Sequence, residues 1–294
     1  MRLTASVVCM VWALAACASE PLCERAVPPE GATFLVSRLA LEAPTGSGAS
    51  AVAHGFDLDG VTSTGAGATC VDFSPDHRLA PDGDLPGIDN TIAHFVPWME
   101  ELVDPVVDAR DPLGLDAAIT GGRILLLIQI VPSGEDPSAD PILRVYRGTP
   151  VDGPLALDVD GRPAPGQRFR GELVGEGALA RAGRVRRGAV LESFAATSVD
   201  PSPAPPLDLA RLTHVGLDVD RCAGADLRGR IGGSWGPEDG ATWFRRIGLE
   251  HRAEGLISVL SSTADLEPDP IDPSVCGRIS LGLSFDVVSA ELVP

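Results

Sequence analysis

The chain contains no lysine, one tyrosine and few aromatic residues of any kind. All 23 basic residues are arginines, so catalysis by a lysine of this chain is excluded. Aromatic residues make up 4% of the sequence, which leaves few side chains that stack on sugar rings. Lysine chemistry is therefore ruled out, and carbohydrate binding is disfavoured.

Positive charge is scarce relative to negative charge. The chain has 41 acidic residues and a formal net charge of −18. A surface of this sign repels nucleic acid and anionic lipids and attracts cations. Hydrophobic residues make up 44% of the chain, which is enough for a sizeable core. We therefore expect a folded acidic domain that does not bind nucleic acid.

The first residues are typical of an export signal. Arg2 precedes a short apolar run over residues 7–16, and this run is too short to span a bilayer. The stretch Leu14-Ala15-Ala16-Cys17 that ends it resembles the lipobox of bacterial lipoproteins, in which the cysteine is lipidated and becomes the new N-terminus. We predict a signal peptide over residues 1–16, lipidation at Cys17, a tether over residues 17–31 and a membrane partner reached through the lipid.

Two features of the cut site bear on where the protein resides. Ala16-Cys17-Ala18 is also an A-x-A pattern, and cleavage after Ala18 would release a soluble protein instead. In the lipoproteins that the motif resembles, aspartate directly after the cysteine favours retention in the inner membrane. Ala18 stands at that position here, so the resemblance implies an outer-membrane anchor facing the periplasm or the cell surface.

Four cysteines remain once Cys9 leaves with the signal and Cys17 is lipidated: Cys23, Cys70, Cys222 and Cys276. Four cysteines in an oxidising compartment predict two disulfides, with three possible connectivities. Proximity in the sequence favours Cys23–Cys70 and Cys222–Cys276. The chain lacks the C-x-x-C and H-x-x-x-H spacings of common zinc sites.

Short β-patterned segments recur along the chain between turn signals. We predict strands over residues 33–42, 123–131, 142–147, 155–159, 167–174, 185–194, 207–219, 226–231 and 279–293. A helical pattern begins after Asn90, which we interpret as an N-cap, and Pro97 should break or kink it. Two further helical patterns cover residues 115–120 and 242–261. The sequence predicts a mainly β fold over residues 32–294, a single sandwich-like domain with two or three short helices. An α+β sheet is the alternative.

An aspartate-rich loop over residues 55–90 is the strongest candidate site. Ca²⁺ is bound by carboxylate oxygens at alternate positions, with glycines that allow a tight wrap, and FDLDG and PDGDLPGIDN have this pattern. PDGDLPGIDN is similar to the calcium loops of thrombospondin type 3 repeats. The predicted ligands are Asp57, Asp59, Asp82, Asp84, Asp89 and Asn90. The alternative is that Asp-Gly pairs simply form turns.

Two other segments are weaker candidates. Asp265, Asp269 and Asp272 form a second acidic loop that either binds a cation or is a solvated, proline-rich turn. Gly232-Gly-Ser234-Trp-Gly236 matches the G-x-S-x-G nucleophile elbow, which needs a helix directly after the serine. Pro237 and Gly240 disfavour that helix, so we expect a glycine-rich bend and assign no catalytic residue.

At the level of the whole chain, the pattern resembles uncharacterised secreted lipoproteins of myxobacteria-like Gram-negative bacteria. The resemblance rests on the lipobox, on GFDLDG…C…PDG…GIDN, and on Cys276, Ile279-Ser280, Gly282-Leu283 and Phe285 near the end. It implies no activity. We therefore predict a non-catalytic, envelope-anchored lipoprotein with a binding or structural domain, stabilised by Ca²⁺ and two disulfides. The alternative is a secreted hydrolase that uses a carboxylate pair or Ser234. No protein or glycan partner can be named from the sequence.

Overall fold

The computed structural model describes residues 31–46, 52–56, 58, 89–96, 111, 114–132, 142–180, 184–185, 211–218, 227–246 and 250–294. Nine strands lie in these ranges: β1 (Thr33–Ala40), β2 (Leu126–Val131), β3 (Ile142–Pro150), β4 (Gln167–Ala180), β5 (Arg184–Val185), β6 (Arg211–Asp218), β7 (Leu227–Trp235), β8 (Leu266–Pro268) and β9 (Cys276–Val293). The predicted mainly β fold with short helices is confirmed.

The strands form one sheet that closes on itself in a barrel-like ring. β1 to β4 pair in sequence as antiparallel neighbours, and β9 pairs antiparallel with β1. The ring closes where Gln167–Arg170 of β4 pair in parallel with Ala290–Val293 of β9. The sandwich-like arrangement expected from the sequence would have two facing sheets, whereas these strands share one.

Strand β9 is the longest element and organises the rest of the sheet. Its C-terminal half pairs with β1 and β4, while residues 279–287 pair antiparallel with β7. β7 in turn pairs with β6, and the short β8 pairs with the start of β9. A single 18-residue strand therefore connects the closed ring to the extension formed by β6, β7 and β8.

Short helices lie beside the sheet. A 3-10 helix covers Thr91–Phe95, α1 covers Leu115–Thr120, α2 covers Pro237–Arg246 and α3 covers Glu250–Ser262. The helix predicted over residues 115–120 is confirmed, and Gly122 ends it with a positive φ of 70° that glycine adopts without strain. The single helix expected over residues 242–261 is instead two helices, and the first begins at Pro237.

One strand prediction is wrong. Residues 155–159 form a turn-rich excursion with a single bridge between Leu157 and Pro163, not a strand. Asp158 Oδ1 accepts hydrogen bonds from the N–H groups of Asp160 and Arg162, so a side chain of the turn itself provides the partner for these two backbone groups. Gly161 follows Asp160 in this turn with a φ of 75°, which glycine adopts without strain.

Each face of the central strands carries an apolar cluster. In β2, Leu126, Ile128 and Ile130 belong to the larger cluster, which also takes residues from α1, α3 and the 3-10 helix. Leu127, on the opposite face, belongs to a smaller cluster to which all five strands of the ring contribute. Burial on both faces explains why residues 124–128 read as an unbroken apolar run.

Candidate functional site

A row of small residues, two serines and a glycine, alternates with core residues along β9. Residues 279, 281, 283 and 285 belong to the larger apolar cluster. Ser280, Gly282 and Ser284 stand between them and lie on the opposite face of the strand, because successive side chains alternate. We call these three residues the polar row. It receives the two ends of the aspartate-rich loop.

We call residues 52–56 and 58 the first stem of that loop and residues 89–91 the second stem. The stems are bonded to each other. The Asp89 N–H donates to the Phe56 carbonyl oxygen at 2.9 Å, and the buried Asp89 carboxylate accepts the Leu58 N–H at 2.5 Å. The guanidinium of Arg230 in β7 lies 5.5 Å from the centre of the Phe56 ring. The loop therefore leaves and rejoins the domain at one place.

Asn90 connects both stems to the polar row. Its side-chain amide donates to the Gly282 carbonyl at 3.0 Å and to the His54 carbonyl at 2.6 Å, and its Oδ1 accepts the Gly282 N–H at 2.9 Å. The side chain thus pairs with Gly282 as a strand backbone would. A Cβ at Gly282 would lie 2.1 Å from the His54 carbonyl oxygen, so this close approach requires glycine.

The second stem is also held at Ser280. The Thr91 N–H donates to Ser280 Oγ at 2.7 Å, and Thr91 Oγ1 donates to Asp265 Oδ2 at 2.9 Å. Asp265 also accepts the Ser280 N–H at 2.7 Å and the Ser280 hydroxyl at 2.5 Å. Burial raises the pKa of Asp265, and these hydrogen bonds oppose the rise. The carboxylate thus joins the 3-10 helix to β9.

The first stem is held at Ser284 through Glu42. The Ser284 hydroxyl donates to Glu42 Oε1 at 2.7 Å, and the His54 ring nitrogen Nε2 lies 3.1 Å from Glu42 Oε2. The hydrogen bond from His54 is the main cause that lowers the pKa of Glu42 to about 2, with smaller help from Ser284 and Arg38. Glu42 is therefore ionised throughout the neutral range.

Only two of the six predicted calcium ligands lie in the described part of the chain. Asp89 and Asn90 come together at the loop stems, where their side chains bond to backbone groups. Asn90 precedes the 3-10 helix as expected, but its side chain makes no capping hydrogen bond. Asp57, Asp59, Asp82 and Asp84 lie outside the described residues. Within the described ranges, no group of three or more potential metal-ligating side chains occurs.

The carboxylates of the second acidic loop have separate surroundings and separate hydrogen-bond partners. Asp265 is buried in the network with Ser280, whereas Asp269 Oδ1 accepts the Ile271 and Asp272 N–H groups in an exposed turn. Asp272 Oδ1 accepts both the N–H and the hydroxyl of Ser274. These bonds have the pattern of Asx turns, which agrees with the interpretation of this segment as a solvated, proline-rich turn.

Ser234 occupies a strand-to-helix junction, contrary to the bend expected from the sequence. It lies in β7, and α2 begins three residues later because Asp239 reaches back to accept the Gly236 N–H at 3.2 Å. The Ser234 hydroxyl accepts from Arg278 Nε at 2.7 Å, and the Ser234 carbonyl accepts from Arg278 Nη2 at 2.8 Å. Both oxygens of this buried serine therefore bond to one arginine.

The remaining predicted residues fall mostly outside the described ranges. Cys276 is buried, and Cys17, Cys23, Cys70 and Cys222 lie outside those ranges, so the disulfides and their pairing stay a prediction. None of the described helices is both long and apolar enough to cross a membrane.

Sequence reasoning missed Glu42, His54, Ser280 and Ser284 as parts of this site. The available signal was the alternation of small polar and large apolar residues in SLGLSFD at the end of the chain. Polar residues between buried ones on a central strand need partners, because a buried polar group without one is costly. Comparison with known proteins finds no matching protein family, no matching curated protein and no matching solved structure.

Proposed function

We propose that this protein is a non-catalytic, lipid-anchored envelope protein whose β-rich domain presents a calcium-binding acidic loop. The observation that carries the proposal is the paired base of that loop, where Phe56 and Asp89 bond to each other and Asn90 bonds to β9. Loops this long inside a domain are uncommon and usually functional. A rigid scaffold that fixes both ends of a loop is the usual way in which proteins position binding residues.

Charge supports a cation as the ligand. Residues 57–88 contain six aspartates and one arginine, and the protein as a whole is strongly acidic. Carboxylates concentrated in one segment repel each other, and a divalent cation relieves that repulsion while it accepts six to eight oxygen ligands. An exported location, which the lipobox predicts, would expose the loop to calcium outside the cytoplasm.

The calcium part of the proposal is tested by thermal unfolding of the mature protein with CaCl₂ and with a chelator. At 100 times its dissociation constant, a ligand that binds only the folded state adds about 2.7 kcal/mol to the free energy of unfolding. We expect Asp82→Asn combined with Asp84→Asn to abolish the calcium effect. Asp158→Asn combined with Asp160→Asn is the matched control, because this Asp-x-Asp-Gly forms an ordinary turn. A melting temperature insensitive to calcium would reject the calcium site.

The anchor is tested separately in a Gram-negative host. Substitution Cys17→Ser is expected to move the protein from the membrane fraction to the soluble fraction. Cys9→Ser is the control, because this cysteine lies within the predicted signal peptide. Equal membrane fractions for the wild type and Cys17→Ser would rule out lipidation.

A hydrolase based on Ser234 is the second candidate, and the position of this serine directly before α2 favours it. A nucleophilic serine needs a neighbouring base that takes its proton, but the bonded neighbour of Ser234 is Arg278, whose guanidinium donates a hydrogen bond to the hydroxyl oxygen and cannot act as a base. Labelling by a fluorophosphonate probe that disappears in Ser234→Ala would favour the hydrolase over the binding protein.

A further inference from the structure

We draw no further inference here: the strongest candidate, the exposed apolar surface patch that Leu157 and Val159 form on the turn-rich excursion between β3 and β4, carries nothing because nothing in the structure shows what covers it.

Discussion

Asn90 and Gly282 exchange two hydrogen bonds although 192 positions of the sequence separate them. The Asn90 amide donates to the Gly282 carbonyl at 3.0 Å, and the Gly282 N–H donates to Asn90 Oδ1 at 2.9 Å. Asn90 is the only asparagine in the chain, and it is 1% exposed. A side-chain amide here replaces a missing strand neighbour and joins the base of the acidic loop to β9.

Removing this amide should be costly. Asn90→Ala leaves three backbone groups of His54 and Gly282 without partners, and each buried unsatisfied group costs about 1–3 kcal/mol. We expect the free energy of unfolding, measured by urea denaturation, to fall by about 3 kcal/mol or more. Gln167→Ala is the matched control, because Gln167 also makes three bonds to backbone groups but at a more exposed position where water replaces them. Equal losses in the two variants would contradict a special role for Asn90.

Gly282 should tolerate no side chain. A Cβ there would lie 2.1 Å from the His54 carbonyl oxygen and 2.8 Å from Gly55 Cα, both in backbone that cannot rotate away. Gly282→Ala is expected to lower the free energy of unfolding by at least about 2 kcal/mol, as overpacking does. Gly255→Ala in α3 is the control, because nothing lies within 4 Å of its Cβ and alanine favours a helix by up to about 1 kcal/mol. The two substitutions should move the urea midpoint in opposite directions.

Glu42 should make the protein sensitive to acid. Its pKa falls from 4.5 to about 2 on folding, mainly because of the hydrogen bond from His54. The stabilisation is therefore complete above pH 4.5 and is lost as the pH falls towards 2. We expect the difference in unfolding free energy between the wild type and Glu42→Gln to shrink over this window. A difference that stays constant from pH 6 to pH 2 would show that the carboxylate does not supply it.

The contribution of Asp265 to stability should depend on pH in the opposite direction to that of Glu42. Burial raises its pKa above the ordinary value of 3.8, so the folded protein holds this proton more tightly than the unfolded chain. Its contribution to stability is largest below pH 3.8 and decreases as the pH rises through the folded pKa. Asp265→Asn should remove this decrease while the amide still accepts the Ser280 N–H. Parallel pH profiles of unfolding free energy for the wild type and the variant would contradict the prediction.

Parts of the fold were predictable because local pattern decides them. The unbroken apolar run over residues 124–128 indicated a strand, and β2 is buried on both faces. The helix at Leu115–Thr120 was predicted with its bounds, because a glycine pair follows a short apolar pattern. The helix after Ser234 was missed. Pro237 at its first position and Asp239 as the residue that reaches back are both favourable helix-start features, which outweigh the glycine at position 240.

The candidate site was predicted less completely than the fold. The sequence singled out Asp89 and Asn90 at the end of the acidic segment as metal ligands, and that role stays a prediction. In the structure these two side chains bond to backbone groups of Leu58, His54 and Gly282. The sequence shows that both side chains carry oxygen lone pairs, but not which backbone groups they meet, because those groups come from segments that only the fold brings close.

The sequence by itself determined the acidic charge and the mainly β character, since both follow from composition or from the spacing of neighbouring residues. The export signal and the calcium-binding loop stay predictions. The tertiary structure alone decided that the ring closes between β4 and β9, that Glu42 meets His54, and that Asn90 meets Gly282. These pairings join segments that are far apart in the chain. Their geometry depends on strand register and close backbone approach, for which a single sequence has no local pattern.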